Sequence, residues 1–255
     1  DGQVPPDYVP VEQVRQRLAI ITRKPHVQWI RTYSATNGLE KIPEEADKLG
    51  LQVAMGIWIR DNKKQEIDNL VATAQAGYVD IAVVGNEELY SNSSTVNQLI
   101  KDINDVRQRL IDANCADIPV TTPEPFETLF AMDAKGSCTV IYPQLINSID
   151  VVFVNIYPFH KGAHINIALQ DLALRYQCAV DAVHELDPNK PVIIAETGWP
   201  SDGLTKIDAE PSLPNLARYF YEVAEWAADN NVQLFYFEAF DEKWKENPNY
   251  LFTLI

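Results

Sequence analysis

The chain has 255 residues, 46 % hydrophobic and 22 % charged, which is ordinary for a folded protein with one large α/β domain or two small ones. A formal net charge of -15 and a pI of about 4.6 repel polyanions, so nucleic acid and acidic membranes are poor partners, while a neutral ligand is unaffected. No apolar run is long enough to span a bilayer.

Along the chain, the opening "DGQVPPDY" is too polar and proline-rich for a buried strand, and "VPVEQVRQRLAIIT" reads as a first helix. No leader peptide is visible there, and one could have been removed. Then short apolar runs alternate with helix-period segments. "HVQWIRTYS" precedes "EKIPEEADKLG", "QVAMGIWIR" precedes "KKQEIDNLVATAQAG", and "YVDIAVVGNE" precedes "STVNQLIKDINDVRQRLIDAN". "DIPVTTPEP" leads to a segment around "PQLIN", "DVVFVNIYPF" to "IALQDLALRYQCAVDAVHEL", and "KPVIIAETGWP" to "LPNLARYFYEVAEWAADNN". "VQLFYFEAFDE" comes last.

Near-continuous apolar strands suit a parallel sheet covered by helices on both faces. A doubly wound sheet predicts a glycine-rich nucleotide loop, and neither G-x-G-x-x-G nor G-x-x-x-x-G-K-[ST] occurs. Several strands end instead in polar and aromatic residues, which a (β/α)8 TIM barrel gathers on one face. The expectation is therefore a single (β/α)8-barrel catalytic domain over residues 1–255. Only seven strands are found, so the first strand is expected to be missing from this chain, with "YLFTLI" the other filler of the gap.

Two acids occupy strand ends. Glu87 follows "VDIAVVGN" and Glu196 follows "KPVIIA". Acetal cleavage needs one acid to protonate the leaving oxygen and a second carboxylate to attack the anomeric carbon or activate water. Like charge would keep one of them protonated near neutral pH. The competing reading is that strand-end acids open the next helix or bind a metal. Glu88 is read in that way, as the first-turn acid of the following helix.

The remaining chemistry-bearing residues say less. His160 and His164 are four apart, but Pro158 and Gly162 argue against a helix there, and both are read as surface histidines. His184 in "HELDP" lacks the second histidine of a zinc protease motif, and Asp241 and Glu242 read as solvated or as a helix start. Cys115, Cys138 and Cys178 form no disulfide framework; at most one bridge is possible, and all three are read as packing residues. Asn92-Ser93-Ser94 is a glycosylation triplet and points weakly to secretion.

"VVGNEELY", "IIAETGWPS" and "FYFEAFDEKWK", with "RTYS" and "VNIYPF", together resemble family 17 glycoside hydrolases of the fungal β-1,3-glucanosyltransferase and endo-β-1,3-glucanase type. The match runs in order from about residue 10 to about residue 247. The resemblance implies a (β/α)8 barrel with Glu87 as acid/base and Glu196 as nucleophile. It also implies that Asn86 binds the sugar 2-hydroxyl, that Tyr157 holds the nucleophile, and that Glu238 accepts hydrogen bonds from sugar hydroxyls. The family's glycine- and tyrosine-containing first strand is absent, and "NPNYLFTLI" matches the family's close only loosely.

Aromatic rings cover the C–H faces of sugars, and Tyr33, Tyr157, Phe159, Trp199, Phe240 and Trp244 lie at or just beyond strand ends. For Phe159 and Phe240 the competing reading is upper core. Arg31 could support the nucleophile carboxylate or pair with an acid. Lys245 is a lesser sugar-binding candidate beside the reading of a solvated lysine.

The expected activity is a retaining glycosidase acting on β-1,3-glucan by double displacement, with strong transglycosylation. The alternatives are a hydrolytic endo-β-1,3-glucanase and a non-catalytic glucan-binding wall protein. No cofactor or metal is expected. The expected partner is β-1,3-glucan as donor and acceptor, the expected state is a monomer, and the expected location is secreted or cell wall.

Overall fold

A computed structural model describes residues 7–23 and 27–240. In chain order its elements are α1 (Val11–Ile21), β1 (Trp29–Arg31), α2 (Ile42–Asp47), β2 (Gln52–Ile57), α3 (Lys63–Gln75), β3 (Ile81–Val84) and α4 (Val96–Asp112). There follow β4 (Val120–Thr121), β5 (Pro123–Pro125), α5 (Phe126–Leu129), β6 (Phe130–Met132), β7 (Cys138–Val140) and α6 (Pro143–Ser148). The last are β8 (Val152–Asn155), α7 (Ile165–Leu186), β9 (Val192–Thr197), α8 (Leu213–Asn230) and β10 (Leu234–Tyr236). All seven expected strand regions are present, and no strand precedes α1 among the described residues.

The chain divides into two compact units. The first holds residues 5–128 and 142–153. Its sheet runs β1-β2-β3-β4, all parallel, with Ile30 opposite Val53, Ala54 opposite Ile81, and Ala82 opposite Val120. Every residue of β3, and all of β2 after Gln52, is buried. That burial explains their unbroken apolar sequences, since helices α2 and α3 pack on β2 while α4 packs on β3 and β4. On α4, Leu99, Ile103, Val106 and Leu110 recur at helical spacing and are all buried. Each contributes about 2 kcal/mol of hydrophobic stabilisation. Thr95 starts that helix by accepting the Gln98 N–H at 3.3 Å, and Lys63 of α3 pairs with Asp102 of α4.

The second unit holds residues 129–141 and the chain from 154 onward. Strand β9, buried along its length, lies between β8 and β10, and β10 pairs with it in parallel with Tyr236 opposite Thr197. Helix α8 begins with Ser212 accepting the Asn215 N–H at 3.2 Å and carries a proline in its first turn. No helix among the described residues is long and apolar enough to cross a membrane.

Two sequence readings change here. "DIPVTTPEP" is not one continuous strand, because Pro123 and Pro125 supply no N–H, and it divides into β4 and β5. Cys138 and Cys178 are not separate packing residues. They form a disulfide between β7 and α7, with Cα atoms 5.4 Å apart. The antiparallel pair β6–β7, with Phe130 opposite Val140, was not expected from the sequence. Cys115 is free and half-buried.

Two outcomes are expected. The disulfide closes a loop of sequence separation 40. Opening it with Cys138→Ser or a reductant should lower unfolding free energy by about 3–4 kcal/mol, read by denaturant titration with and without reductant. Hydrogen bonds from Arg15 and then Lys48 hold the Glu45 carboxyl down to about 2. A lowered native pKa gives stability that is complete above the unfolded value near 4.5 and is lost as pH falls toward 2. Glu45→Gln should flatten this part of the Tm–pH curve.

Candidate active site

In the first unit, β3 ends at Val84 and the chain turns through "GNEEL". Gly85 takes φ +68°, and a side chain there would meet the Glu88 side chain at 2.7 Å, so the turn requires glycine at this point. Glu87 itself has φ +54°, in the left-handed region that a non-glycine residue adopts at a cost of about 1 kcal/mol or more. The neighbours hold that conformation. The Glu87 N–H donates to Pro123 O at 3.0 Å, and the Glu87 carbonyl accepts from the Ser91 N–H at 3.0 Å and the Ser91 hydroxyl at 2.6 Å.

Asn86 Oδ1 accepts from Arg31 Nη2 at 2.8 Å, which fixes the amide orientation. Arg31 in turn lies over the Tyr33 ring, 4.6 Å from its centroid. Tyr33 is half-buried on a segment held by Glu66 of α3. The Glu66 carboxylate is buried and accepts from the Ser34 and Thr36 hydroxyls and the Ala35 N–H, each at 2.6 Å, and from the Trp58 N–H at 3.1 Å. Asn69, one turn further along α3, donates to Ala35 O at 2.6 Å.

Glu88 is not the first-turn acid of a helix. Helix α4 starts only at Val96, with Thr95 as its cap, and Glu88 is 1 % exposed in the turn. Its carboxylate accepts from Arg60 Nε at 3.2 and 3.1 Å, and its carbonyl accepts the Ser93 and Ser94 N–H groups at 2.9 and 3.1 Å. A buried charge needs such partners.

Glu124 on β5 was not singled out in the sequence. It is 0 % exposed and accepts the Leu89 N–H at 2.7 Å and the Tyr90 N–H at 3.1 Å. Burial raises its carboxyl to about 7, the two N–H groups pull it down, and the charges of Glu87 and Glu88 raise it further. The signal was present: Glu124 stands between two prolines directly after a buried strand candidate.

In the second unit, Glu196 lies near the end of β9, 5 % exposed, and its Oε2 accepts the Tyr157 hydroxyl at 2.8 Å. Its carbonyl accepts the Ile156 N–H at 2.9 Å, so strand pairing fixes the backbone on which the carboxylate stands. Gly198 follows because a Cβ there would sit 2.1 Å from Phe237 O. At the next residue of the strand, the Thr197 and Tyr219 hydroxyls share a 2.7 Å hydrogen bond, and burial pushes the Tyr219 hydroxyl well above its ordinary range, so it stays neutral.

Trp199 is 2 % exposed. Its ring packs edge-on against Phe159 at 5.1 Å and tilted against Tyr219 at 5.4 Å, and its indole N–H donates to Glu210 O at 2.9 Å. Phe159 is buried as well. Neither ring offers a face for stacking on sugar here, since both are buried. Glu238 and Phe240 are half-buried just past β10. Trp244, Lys245, Asp241 and Glu242 lie outside the described residues. His160 is half-buried in a 3₁₀ turn, and exposed His164 caps α7 by accepting the Asn166 N–H at 3.2 Å.

Comparison with known proteins places this geometry in context. The model of the BtgE/BtgC glycoside hydrolase domain matches residues 4–252. A putative glucan endo-1,3-beta-glucosidase btgC of Aspergillus niger is 30 % identical over 97 % of this chain and 37 % of its own length. A glucan 1,3-beta-glucosidase of Candida albicans is 26 % identical over 89 % of this chain and 76 % of its own length. The chain thus spans little more than a third of the first relative and about three quarters of the second. A beta-1,3-glucanosyltransferase of Rhizomucor miehei, solved as an active-site mutant with laminaritriose, superposes with a TM-score of 0.77. It is 24 % identical over 93 % of this chain and 84 % of its own. That likeness shows the fold class, the (β/α)8 barrel expected from the sequence.

The corrected place of Glu88 sets an expectation. Glu88→Gln weakens the contact with Arg60, which is itself part-exposed. Stability should fall by about 1–3 kcal/mol, measured by denaturant titration.

Proposed function

The chain belongs to the BtgE/BtgC glycoside hydrolase domain family, and we propose that it acts on β-1,3-glucan as a retaining glycosidase with strong transglycosylation. The observation that carries the reading is Glu196, buried at a strand end with one carboxylate oxygen fixed by the Tyr157 hydroxyl at 2.8 Å. A nucleophile attacks one carbon along one line, so its carboxylate plane must be set before substrate arrives.

In this scheme Glu87 protonates the glycosidic oxygen while Glu196 attacks the anomeric carbon, and the bond to the leaving sugar breaks with inversion. Glu87, now a carboxylate, takes a proton from the incoming acceptor hydroxyl. That oxygen displaces Glu196 with a second inversion, restoring the β configuration. Water as acceptor gives a shorter glucan, and a glucan hydroxyl gives a transfer product. Asn86, oriented by Arg31, binds the sugar 2-hydroxyl. Tyr33 and Phe240 line the sugar path, Glu238 accepts from sugar hydroxyls, and Trp244 and Lys245 extend the acceptor side. Arg31 thereby serves the site through Asn86, while Tyr157 supports the nucleophile.

Residues 1–255 act as one catalytic domain and as a monomer in this proposal, without cofactor or metal. The disulfide supports a secreted or cell-wall location, because such bonds persist in oxidising compartments.

Product analysis on a defined laminari-oligosaccharide tests the whole scheme. Species longer than the substrate are expected. Glu196→Ala should abolish turnover while leaving binding intact, and Glu87→Gln should lower kcat about 10²- to 10⁴-fold. Turnover retained by Glu196→Ala would overturn the nucleophile assignment. Products all shorter than the substrate would make the enzyme a hydrolase, and binding without turnover in the unsubstituted protein would make it a glucan-binding wall protein.

A further inference from the structure

The turn carrying Glu87 is held by three carbonyl or carboxylate acceptors that lie outside the turn's own backbone or act across it. Two belong to neighbouring residues of β5. Pro123 O accepts the Glu87 N–H at 3.0 Å, and the Glu124 carboxylate accepts the Leu89 N–H at 2.7 Å through Oε1 and the Tyr90 N–H at 3.1 Å through Oε2. The third is Glu88, which is secured by Arg60. Glu124 itself has two backbone N–H partners and no cation partner among the described residues.

A fully buried carboxylate without a counter-ion is among the more expensive groups to place in an interior. What it uniquely offers is geometry. In the ionised form its two oxygens are both acceptors, so one side chain bridges two consecutive N–H groups, whereas an amide turns one of its two atoms into a donor. The bridged residues lie two and three positions after Glu87, whose own backbone stands at φ +54°. With the bridge released, the Pro123 and Ser91 hydrogen bonds would be left to hold Glu87 at φ +54°.

We infer that Glu124 is a positioning residue for the general acid: its bidentate grip on the Leu89 and Tyr90 N–H groups holds Glu87 in the conformation from which it delivers a proton. This rests on the assignment of Glu87 as acid/base made above.

A leaving group that needs no proton separates positioning of the acid from general damage. With laminari-oligosaccharides, bond cleavage needs the Glu87 proton. With a 2,4-dinitrophenyl β-laminaribioside, the phenolate departs unprotonated, and its pre-steady-state burst reports attack by Glu196 alone. Glu124→Gln should lower kcat on the oligosaccharide about 10- to 100-fold, leave KM within about twofold, and leave the dinitrophenolate burst rate unchanged. Glu124→Asp, with its carboxylate withdrawn by one methylene, should repeat this selective loss and carries the test if the glutamine variant does not fold.

Equal losses on both substrates would overturn the inference, as would full activity on the oligosaccharide. Failure of both variants to fold would also overturn it and make Glu124 a folding requirement. Glu87→Gln separates the two levels. If it turns over the oligosaccharide normally, the acid assignment fails. If it is crippled while Glu124→Gln is not, the assignment stands and only the role of Glu124 falls.

Discussion

Beyond the last ladder bond, from the Gly85 N–H to Ile57 O of β2 at 3.0 Å, the backbone N–H groups after β3 need acceptors from elsewhere, because a buried N–H without a partner is expensive. The protein answers with carbonyl and carboxylate oxygens brought from other elements. Pro123 and Glu124 approach from β5, and Glu88 folds back over its own turn under the hold of Arg60. The left-handed backbone at Glu87 persists because these acceptors over-determine it. The same logic recurs at Glu66, where a buried carboxylate organises the segment after β1.

The second unit solves its positioning problem by different means. Strand pairing sets the Glu196 backbone, and a tyrosine hydroxyl sets its side chain. Close approach of Gly198 to Phe237 and the cluster of Trp199, Phe159 and Tyr219 keep the end of β9 in place. Conserving rotamers by packing suits a side chain that must point one way, while carboxylate bridges suit a backbone that must bend an uncommon way.

Much of the fold was legible in the sequence because strands buried on both faces are mostly apolar, and β2, β3, β8 and β9 are so apart from the end residues Gln52, Asn155, Glu196 and Thr197. The hairpin β6–β7 was not legible. Its strands are short and partly exposed, so no long apolar run announces them. The disulfide was hidden for a related reason: pairing needs two Cα atoms 5.4 Å apart, and spacing along the chain carries no such distance. Among site residues, Glu87 and Glu196 stood out because acids at strand ends break an apolar pattern. Glu88 was misread because a turn lies between it and α4, and acids just past a strand ordinarily open a helix at once. Trp199 looked like a sugar platform from its place in "ETGWP", and only burial distinguishes a ring that faces a groove from one that faces the core.

The Glu66 anchor has a consequence for recognition. One carboxylate gathers donors from Ser34, Ala35 and Thr36, and Asn69 ties Ala35 from the other side. Tyr33 is the residue immediately before this fastened segment, so its main chain has little conformational freedom left to lose. The sugar contact proposed at Tyr33 would therefore spend less of its interaction energy on ordering the loop, leaving its affinity to contact quality more than to the entropy of closure.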